Sequence, residues 1–147
     1  MKRHPSLISL SREHHGALIL ARLLQKNAPV YKGLPSDSNG KAVYALQFYK
    51  DELIQHFLQE EKVLALVKGT DKNMDLLIDS IFEEHRQLQL LFKAIEGHKD
   101  LQLHLHETGV LLEKHIRKEE RELFPLIQEK CSEEKLLVIE HLLSTNK

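Results

Sequence analysis

The chain has 147 residues, a formal net charge of −1 and one cysteine, and 41% of its residues are hydrophobic. This length and composition predict one globular domain spanning residues 1–147. The interspersed charges argue against a nucleic-acid surface, and no apolar run is long enough for a membrane span. The lone cysteine excludes an intrachain disulfide and, with an N-terminus that does not resemble a signal peptide, favours a cytoplasmic location.

Apolar residues recur with helical spacing along almost the whole chain, and no segment shows the alternation typical of a strand. Breaking residues divide this pattern into four long helices and a short fifth one. The pattern predicts an all-α fold, an antiparallel up-down four-helix bundle over about residues 7–127 with a short C-terminal helix. The predicted helices cover about residues 7–27, 37–68, 74–96, 100–124 and 132–143.

Three of the predicted helix boundaries carry recognisable signals. The second helix is expected to begin at Asp37 or Asn39, and Asp71 or Asn73 can cap the N-terminus of the third. The fourth helix can continue past Pro125, where we expect a kink.

Polar residues interrupt the apolar faces of the last three long helices. Residues four apart share a helix face, so His56 and Glu60 lie on the apolar line of the second helix, and His115 and Glu119 lie on that of the fourth. His85 interrupts the third helix in the same way. These polar side chains are expected to point inward, which is unfavourable without a partner.

The first helix offers two adjacent histidines for an equivalent position. His14 lies on the apolar face, whereas His15 points about 100° away. Apolar residues follow His14 at the offsets at which they follow His85. This match favours His14 and leaves His15 as the alternative.

The chain contains the same helical hairpin twice. The dipeptide Glu-His ends at His14 in the first helix and at His85 in the third, and the hexapeptide His-x-x-x-Glu-Glu begins at His56 and at His115. Two such hairpins folded together predict a bundle with approximate two-fold symmetry and polar residues near its middle.

Inward histidines and glutamates become favourable to bury when a metal turns them into ligands. Imidazole and carboxylate donors suit iron best, with zinc and manganese as alternatives. The two-fold repeat predicts two metal ions bridged by glutamates, as in dimetal carboxylate bundles. The candidate ligands are His14, His56, Glu60, His85, His115 and Glu119, with His15, Glu61 and Glu120 as further candidates.

Four glutamates flank these candidates. Glu61 and Glu120 directly follow proposed ligands, and we expect them to be solvated or to support a ligand, although either could itself bind metal. Glu13 and Glu84 precede histidines, and we expect surface charges or residues that orient the next histidine along the chain.

Four segments resemble the hemerythrin-like, cation-binding His-His-Glu family: EHHGALILARLL, HFLQEEKVLAL, EEHRQLQLLF and HIRKEERELFPL. The resemblance covers about residues 7–127. It implies a four-helix bundle with a non-haem di-iron centre bridged by two carboxylates and an oxygen species. The ligands that it implies are His14, His56, Glu60, His85, His115 and Glu119.

The chain departs from oxygen-carrying hemerythrins in two places. Those proteins have two histidines four apart in the third helix, whereas Ile81 and Gln89 lie four residues either side of His85. They also use His-x-x-x-x-Asp in the fourth helix, where this chain has Glu119 and Glu120. The differences favour a more symmetric site with exchangeable water or oxo ligands.

Three functions suit such a centre. The first, which we expect, is binding or sensing of oxygen, nitric oxide or iron, because the sequence shows no acid or base dedicated to an organic substrate. The second is a di-iron enzyme that reduces peroxide, nitric oxide or oxygen. The third is a metal-stabilised module that binds a partner protein. Any redox or signalling partner would be a separate protein.

Overall fold

The computed structural model describes residues 2–145, and every regular element in that range is helical. The elements are α1 (Pro5–Leu24), α2 (Ser38–Phe48), a first π-helical segment (Tyr49–Leu53), α3 (Ile54–Val67), α4 (Lys72–Lys93), α5 (Leu101–Lys118), a second π-helical segment (Glu119–Leu123), α6 (Phe124–Lys130) and α7 (Glu133–Thr145). The first π-helical segment joins α2 and α3 into one long helix, and the second joins α5 and α6. The predicted four-helix bundle with a short fifth helix is therefore confirmed. Among the described helices, none combines the length and apolarity needed to cross a membrane.

The first helix differs from its predicted bounds at both ends. It begins at Pro5, because proline's fixed φ and missing N–H suit the first helical turn. The side chain of His4 caps this end by accepting a hydrogen bond from the Ser6 N–H. The helix stops at Leu24, and Asn27, the predicted end, has a left-handed φ of 64°.

The two aspartates serve as the caps of the second and third long helices. Asp37 accepts a hydrogen bond from the Gly40 N–H, and Asp71 accepts one from the Met74 N–H. Each carboxylate satisfies a backbone donor that has no partner within the helix. The second and third long helices are therefore capped by Asp37 and Asp71, and not by Asn39 and Asn73.

The fourth long helix continues through Pro125, and the turn before the proline is π-helical. The Phe124 N–H bonds to the carbonyl oxygen of Glu119, five residues back. If this pattern of bonds to the fifth residue back continued, residue 125 would donate to the carbonyl oxygen of Glu120. Pro125 has no N–H, so it leaves that oxygen without a backbone donor. That oxygen instead accepts a hydrogen bond from Nη2 of Arg3, 2.9 Å away.

The first π-helical segment lies just before His56 in the second long helix. The Ile54 N–H bonds to the carbonyl oxygen of Tyr49. In a regular α-helix, residues spaced by four move gradually around the helix, and two such steps change the direction of the side chain by about 80°. The wider turn of a π-helix reduces this change. Tyr49, Leu53 and Phe57 accordingly all remain buried.

The inward polar residues form one layer between two apolar clusters. The first cluster lies toward the end of the bundle where α7 packs against α1 and α3, and the second lies on the other side of the layer. Representative members are Leu10, Val63, Ile78 and Ile139 in the first cluster and Leu20, Tyr49, Phe92 and Leu112 in the second. The polar layer is therefore shielded on both sides along the bundle axis.

Helices α1 and α5 approach each other closely at Gly109. A Cβ atom on this glycine would lie 2.4 Å from the carbonyl oxygen of Ala21 and 3.0 Å from Cβ of Leu24. Since α1 carries His14 and α5 carries His115, this contact helps to bring histidines from two helices into one layer.

The single cysteine lies where α6 meets α7. Cys131 is 8% exposed and belongs to the first apolar cluster. Its thiol is free, and burial raises the pKa of that thiol. A buried, protonated thiol of this kind reacts slowly.

Candidate metal centre

The six inward polar residues meet in a single buried cluster. None of them is more than 5% exposed. Their ligand atoms form two groups of four, and within each group the atoms lie within 4.8 Å of one another. We call these groups half-site A (His14, His56, Glu60 and Glu119) and half-site B (His85, His115, Glu60 and Glu119).

Glu60 connects histidines of both half-sites. Its Oε1 lies 3.3 Å from Nε2 of His56 and 3.1 Å from Nε2 of His85. Its Oε2 lies 3.5 Å from Nε2 of His14. One carboxylate from α3 therefore faces imidazoles from three helices.

Glu119, at the start of the second π-helical segment, makes the matching connection. Its Oε1 lies 3.2 Å from Nε2 of His14 and 3.2 Å from Nε2 of His115. The carboxylate thus contacts one histidine of each half-site.

Each of the four histidines directs Nε2 into the cluster and Nδ1 outward to a glutamate. The Nδ1 atoms donate to carboxylate oxygens at 2.6–2.7 Å. The pairs are His14–Glu120, His56–Glu13, His85–Glu61 and His115–Glu84. Bonds of this kind fix the tautomer and orientation of a metal-binding imidazole.

These pairs define the places of the flanking glutamates. Glu61 and Glu120 meet the outer nitrogen of a histidine and lie outside both half-sites. Glu13 and Glu84 are neither plain surface charges nor partners of the histidines that follow them in sequence. Each contacts a histidine on the other helix of its own hairpin, because a glutamate and its neighbour in sequence point to different sides of the helix.

The structure separates the two adjacent histidines of α1. His14 is 2% exposed and belongs to half-site A. His15 is exposed and lies outside both half-sites. The offset pattern in the sequence therefore pointed to the residue that faces the cluster.

Several buried polar atoms of the cluster have no hydrogen-bond partner among the described residues. Their 3.2–3.5 Å contacts with one another lack hydrogen-bond geometry. The atoms are Nε2 of His14, His56 and His115, Oε2 of Glu60 and both carboxylate oxygens of Glu119. Buried polar atoms normally have partners, and two imidazoles with two carboxylates in each half-site fit iron, zinc or manganese.

The family profile of the hemerythrin HHE cation binding domain matches residues 7–127. The chain belongs to this family. The match spans both half-sites and all four outer glutamates. Searches of curated proteins and of solved structures gave no significant match. This HHE domain accordingly carries His/Glu groups that can hold metal cations.

The carboxylates of this HHE domain raise the pKa of the histidines that they face. Burial alone would lower the pKa of His115, but the carboxylates of Glu119, Glu84 and Glu60 together outweigh burial and raise that pKa to about 10. Burial likewise opposes the effect of Glu60 on His56, whose pKa rises to about 9. A metal binds the unprotonated nitrogen, so metal binding at neutral pH competes with protons.

A pocket of about 250 Å³ opens beside half-site A. It is bounded by α1 and by the first π-helical segment. Its lining residues are Arg12, Glu13, Gly16, Phe48, Glu52, Leu53 and His56. His56, at 5%, is also the most exposed of the six candidate ligands. The pocket therefore marks a side from which small molecules can approach the cluster.

Two basic residues that no sequence pattern indicated contact the outer glutamates. Nη2 of Arg3 lies 3.0 Å from Oε1 of Glu120, and the Lys118 ammonium contacts Glu84. Arg3 precedes the matched range and is 117 residues from Glu120. Only the packed structure brings them together.

Proposed function

We propose that this HHE domain holds a pair of iron ions and reversibly binds a small diatomic ligand, oxygen or nitric oxide. The observation that carries the proposal is the sharing of Glu60 and Glu119 by two half-sites that each have two histidines. Two bridging carboxylates with imidazole ligands are typical of dimetal carboxylate bundles. The cluster contains no thiolate, the ligand type that favours zinc or copper(I).

The residues around the cluster suit this task. When bound, an iron pair would supply redox-active cations with positions open to a small ligand. The outer glutamates keep each Nε2 directed inward, since each Nδ1 is already engaged. Phe57 stacks on His85 with ring centroids 4.2 Å apart, and Phe124 stacks on His14 at 5.6 Å. These rings limit imidazole movement and keep water from the cluster.

The size of the pocket beside His56 favours a small ligand. Pockets for organic molecules usually measure about 300–1,000 Å³, and this one measures about 250 Å³. The six side chains that would bind the metal lie behind this pocket and are at most 5% exposed. Oxygen or nitric oxide can pass such a barrier more easily than an organic substrate.

The proposal is tested by metal analysis and ligand titration of protein produced with abundant iron. We expect about two irons per chain and an absorption band in the near ultraviolet. Anaerobic reduction, followed by oxygen and in a separate sample by nitric oxide, should give spectra that revert when the gas is removed. Continuous consumption of either gas would favour an enzyme instead. Protein that contains zinc, manganese or no metal under these conditions would overturn the iron assignment.

A further inference from the structure

We propose that Arg3 is a positioning residue for half-site A, so that the N-terminal segment 2–4 sets how tightly that half-site holds its metal ion. The inference rests on the proposed iron pair, and its test is arranged so that the two can fail separately. It concerns residues that precede the range matched by the family profile.

Arg3 fixes Glu120 at two points. Its Nη2 donates to the carbonyl oxygen of Glu120 at 2.9 Å and to Oε1 of the same residue at 3.0 Å. The carbonyl oxygen of Glu120 can accept the hydrogen bond from Arg3 because Pro125, five residues later, has no N–H to donate to it in the π-helical pattern. The guanidinium thereby holds both the backbone and the side chain of Glu120.

Glu120 in turn fixes His14. Its Oε2 accepts hydrogen bonds from Nδ1 of His14 at 2.7 Å and from the Ser11 hydroxyl at 2.8 Å. Arg3 holds the other carboxylate oxygen, so the carboxylate has little freedom to rotate. The direction of the His14 Nε2 atom therefore depends on Arg3 through one intermediate residue.

A second contact leads from Arg3 to the same histidine. The guanidinium carbon lies 5.4 Å from the centroid of the Phe124 ring. Phe124 stacks on His14 with an interplanar angle of 9°. Arg3 thus supports both neighbours that hold the His14 ring.

The N-terminal segment is itself fastened to the end of the bundle. The His4 N–H donates to Oε1 of Gln128 at 2.9 Å, and Nε2 of Gln128 donates to the carbonyl oxygen of Lys2 at 3.0 Å. Nε2 of His4 lies 2.9 Å from a carboxylate oxygen of Glu133 on α7. These bonds place the Arg3 side chain over Glu120.

The two half-sites differ in which basic residue contacts their outer glutamates. Glu61 is the counterpart of Glu120 in the first hairpin, and within residues 2–145 no lysine or arginine forms an ion pair with it. Half-site B instead has Lys118 on Glu84, which supports His115. Half-site A therefore depends on a residue outside the repeated hairpins, whereas half-site B does not.

The test is calorimetric titration of ferrous iron alone into the metal-free full chain without oxygen. We expect Arg3→Gln to weaken one of two binding steps by about tenfold, the lower end of the effect of removing a partner that orients a ligand. The other step should keep its wild-type affinity. Arg3→Lys should give an intermediate value, since an ammonium keeps the positive charge but has only one nitrogen, whereas the guanidinium reaches Glu120 through Nη2 and Gln128 through Nη1.

Three further variants make the result specific. Arg86→Gln removes an exposed ion pair with Glu83 and should change neither step. Lys118→Gln should weaken the binding step that Arg3→Gln leaves unchanged, because Lys118 contacts the glutamate that supports His115 of half-site B. The double variant with Arg3→Gln should therefore weaken both steps. Ser11→Ala removes the second anchor of Glu120 without altering the N-terminal segment, and it serves if the Arg3 variant does not fold.

Thermal unfolding of each metal-free variant separates positioning from general stability. Wild-type affinity at both steps in Arg3→Gln and Ser11→Ala would overturn this inference and leave the iron pair standing. Equal weakening of both steps with a lower melting temperature would also overturn it. A wild-type chain that binds no iron would remove the proposed function and, with it, this inference.

Discussion

Glu60 and Glu119 belong to different hairpins, yet each carboxylate contacts histidines of both half-sites. Through one oxygen, Glu60 reaches His56 at 3.3 Å and His85 at 3.1 Å. Glu119 makes the same kind of connection to the other two histidines, each at 3.2 Å. The two half-sites therefore share their two carboxylates and have separate imidazoles.

This sharing predicts different outcomes for glutamate and histidine substitutions. We expect Glu119→Gln to weaken binding of both iron ions at least tenfold, because each half-site loses the same anionic donor. His85→Ala should weaken mainly one ion. The measurement is calorimetric titration of ferrous iron without oxygen. If Glu119→Gln affected one ion only, the carboxylate would not bridge.

The adjacent histidines of α1 provide a second, internally controlled comparison. His14→Ala should reduce the iron content after dialysis, since Nε2 of His14 lies among the ligand atoms of half-site A. His15→Ala changes the next residue of the same helix, which is exposed, and should keep the wild-type content. Metal analysis per chain decides the matter. Equal loss in both variants would count against the assignment of His14.

The stability of metal-free protein should depend on pH in the alkaline range. Burial alone would lower the pKa of His56 and His115, but facing carboxylates raise them to about 9 and about 10, above the ordinary 6.5. Stabilisation by these charged pairs is therefore complete below about pH 6.5 and lost as pH rises through 9 to 10.

We accordingly expect the melting temperature of metal-free protein to fall between about pH 7 and pH 10. Iron-loaded protein should not follow this trend, because a metal-bound imidazole nitrogen carries no proton to lose. Thermal unfolding at several pH values in both forms measures the difference. Parallel curves for the two forms would contradict the predicted competition between metal and protons.

Two helical glycines offer a matched test of the packing between helices. In Gly109→Ala the new methyl would lie 2.4 Å from the Ala21 carbonyl oxygen, and α1 would have to move. We expect the free energy of unfolding to fall by about 1–3 kcal/mol. In Gly16→Ala the methyl would lie 3.4 Å from the Phe48 ring, and the better helix former should leave stability unchanged or raise it by up to about 1 kcal/mol.

Denaturant unfolding of the two metal-free variants checks this prediction. Since both changes replace a helical glycine by alanine, their helix propensities cancel in the comparison. A smaller unfolding free energy for Gly16→Ala than for Gly109→Ala would show that the contact at α1 and α5 is not the tighter one.

Helical phase was enough to predict that the six candidate ligands face inward. The direction of Glu60 and His85 follows from their spacing to apolar neighbours on the same helix, and both are buried. The partner of each outer glutamate could not be predicted in this way. Glu120 and His14 are 106 residues apart, and their contact depends on how the two hairpins pack.

The π-helical segments mark a second limit of prediction from sequence. A proline in a helical pattern predicts a kink, but it does not predict that the turn before Pro125 is π-helical. The first π-helical segment has no proline to indicate it, and the apolar stripe around Leu53 also fits an α-helix. Whether a turn widens depends on the packing of neighbouring helices, which periodicity does not contain.

Cys131 gives this HHE domain a built-in reporter for the movement of its last helix. The thiol belongs to the first apolar cluster, to which α7 contributes Leu136, Ile139 and Leu143. A thiol reagent in solution should reach the sulfur faster whenever α7 leaves the bundle for a moment, because Cys131 is only 8% exposed when α7 is packed. Since the described residues contain no other cysteine, the labelling rate should rise with the frequency at which α7 opens, and no engineered probe is needed.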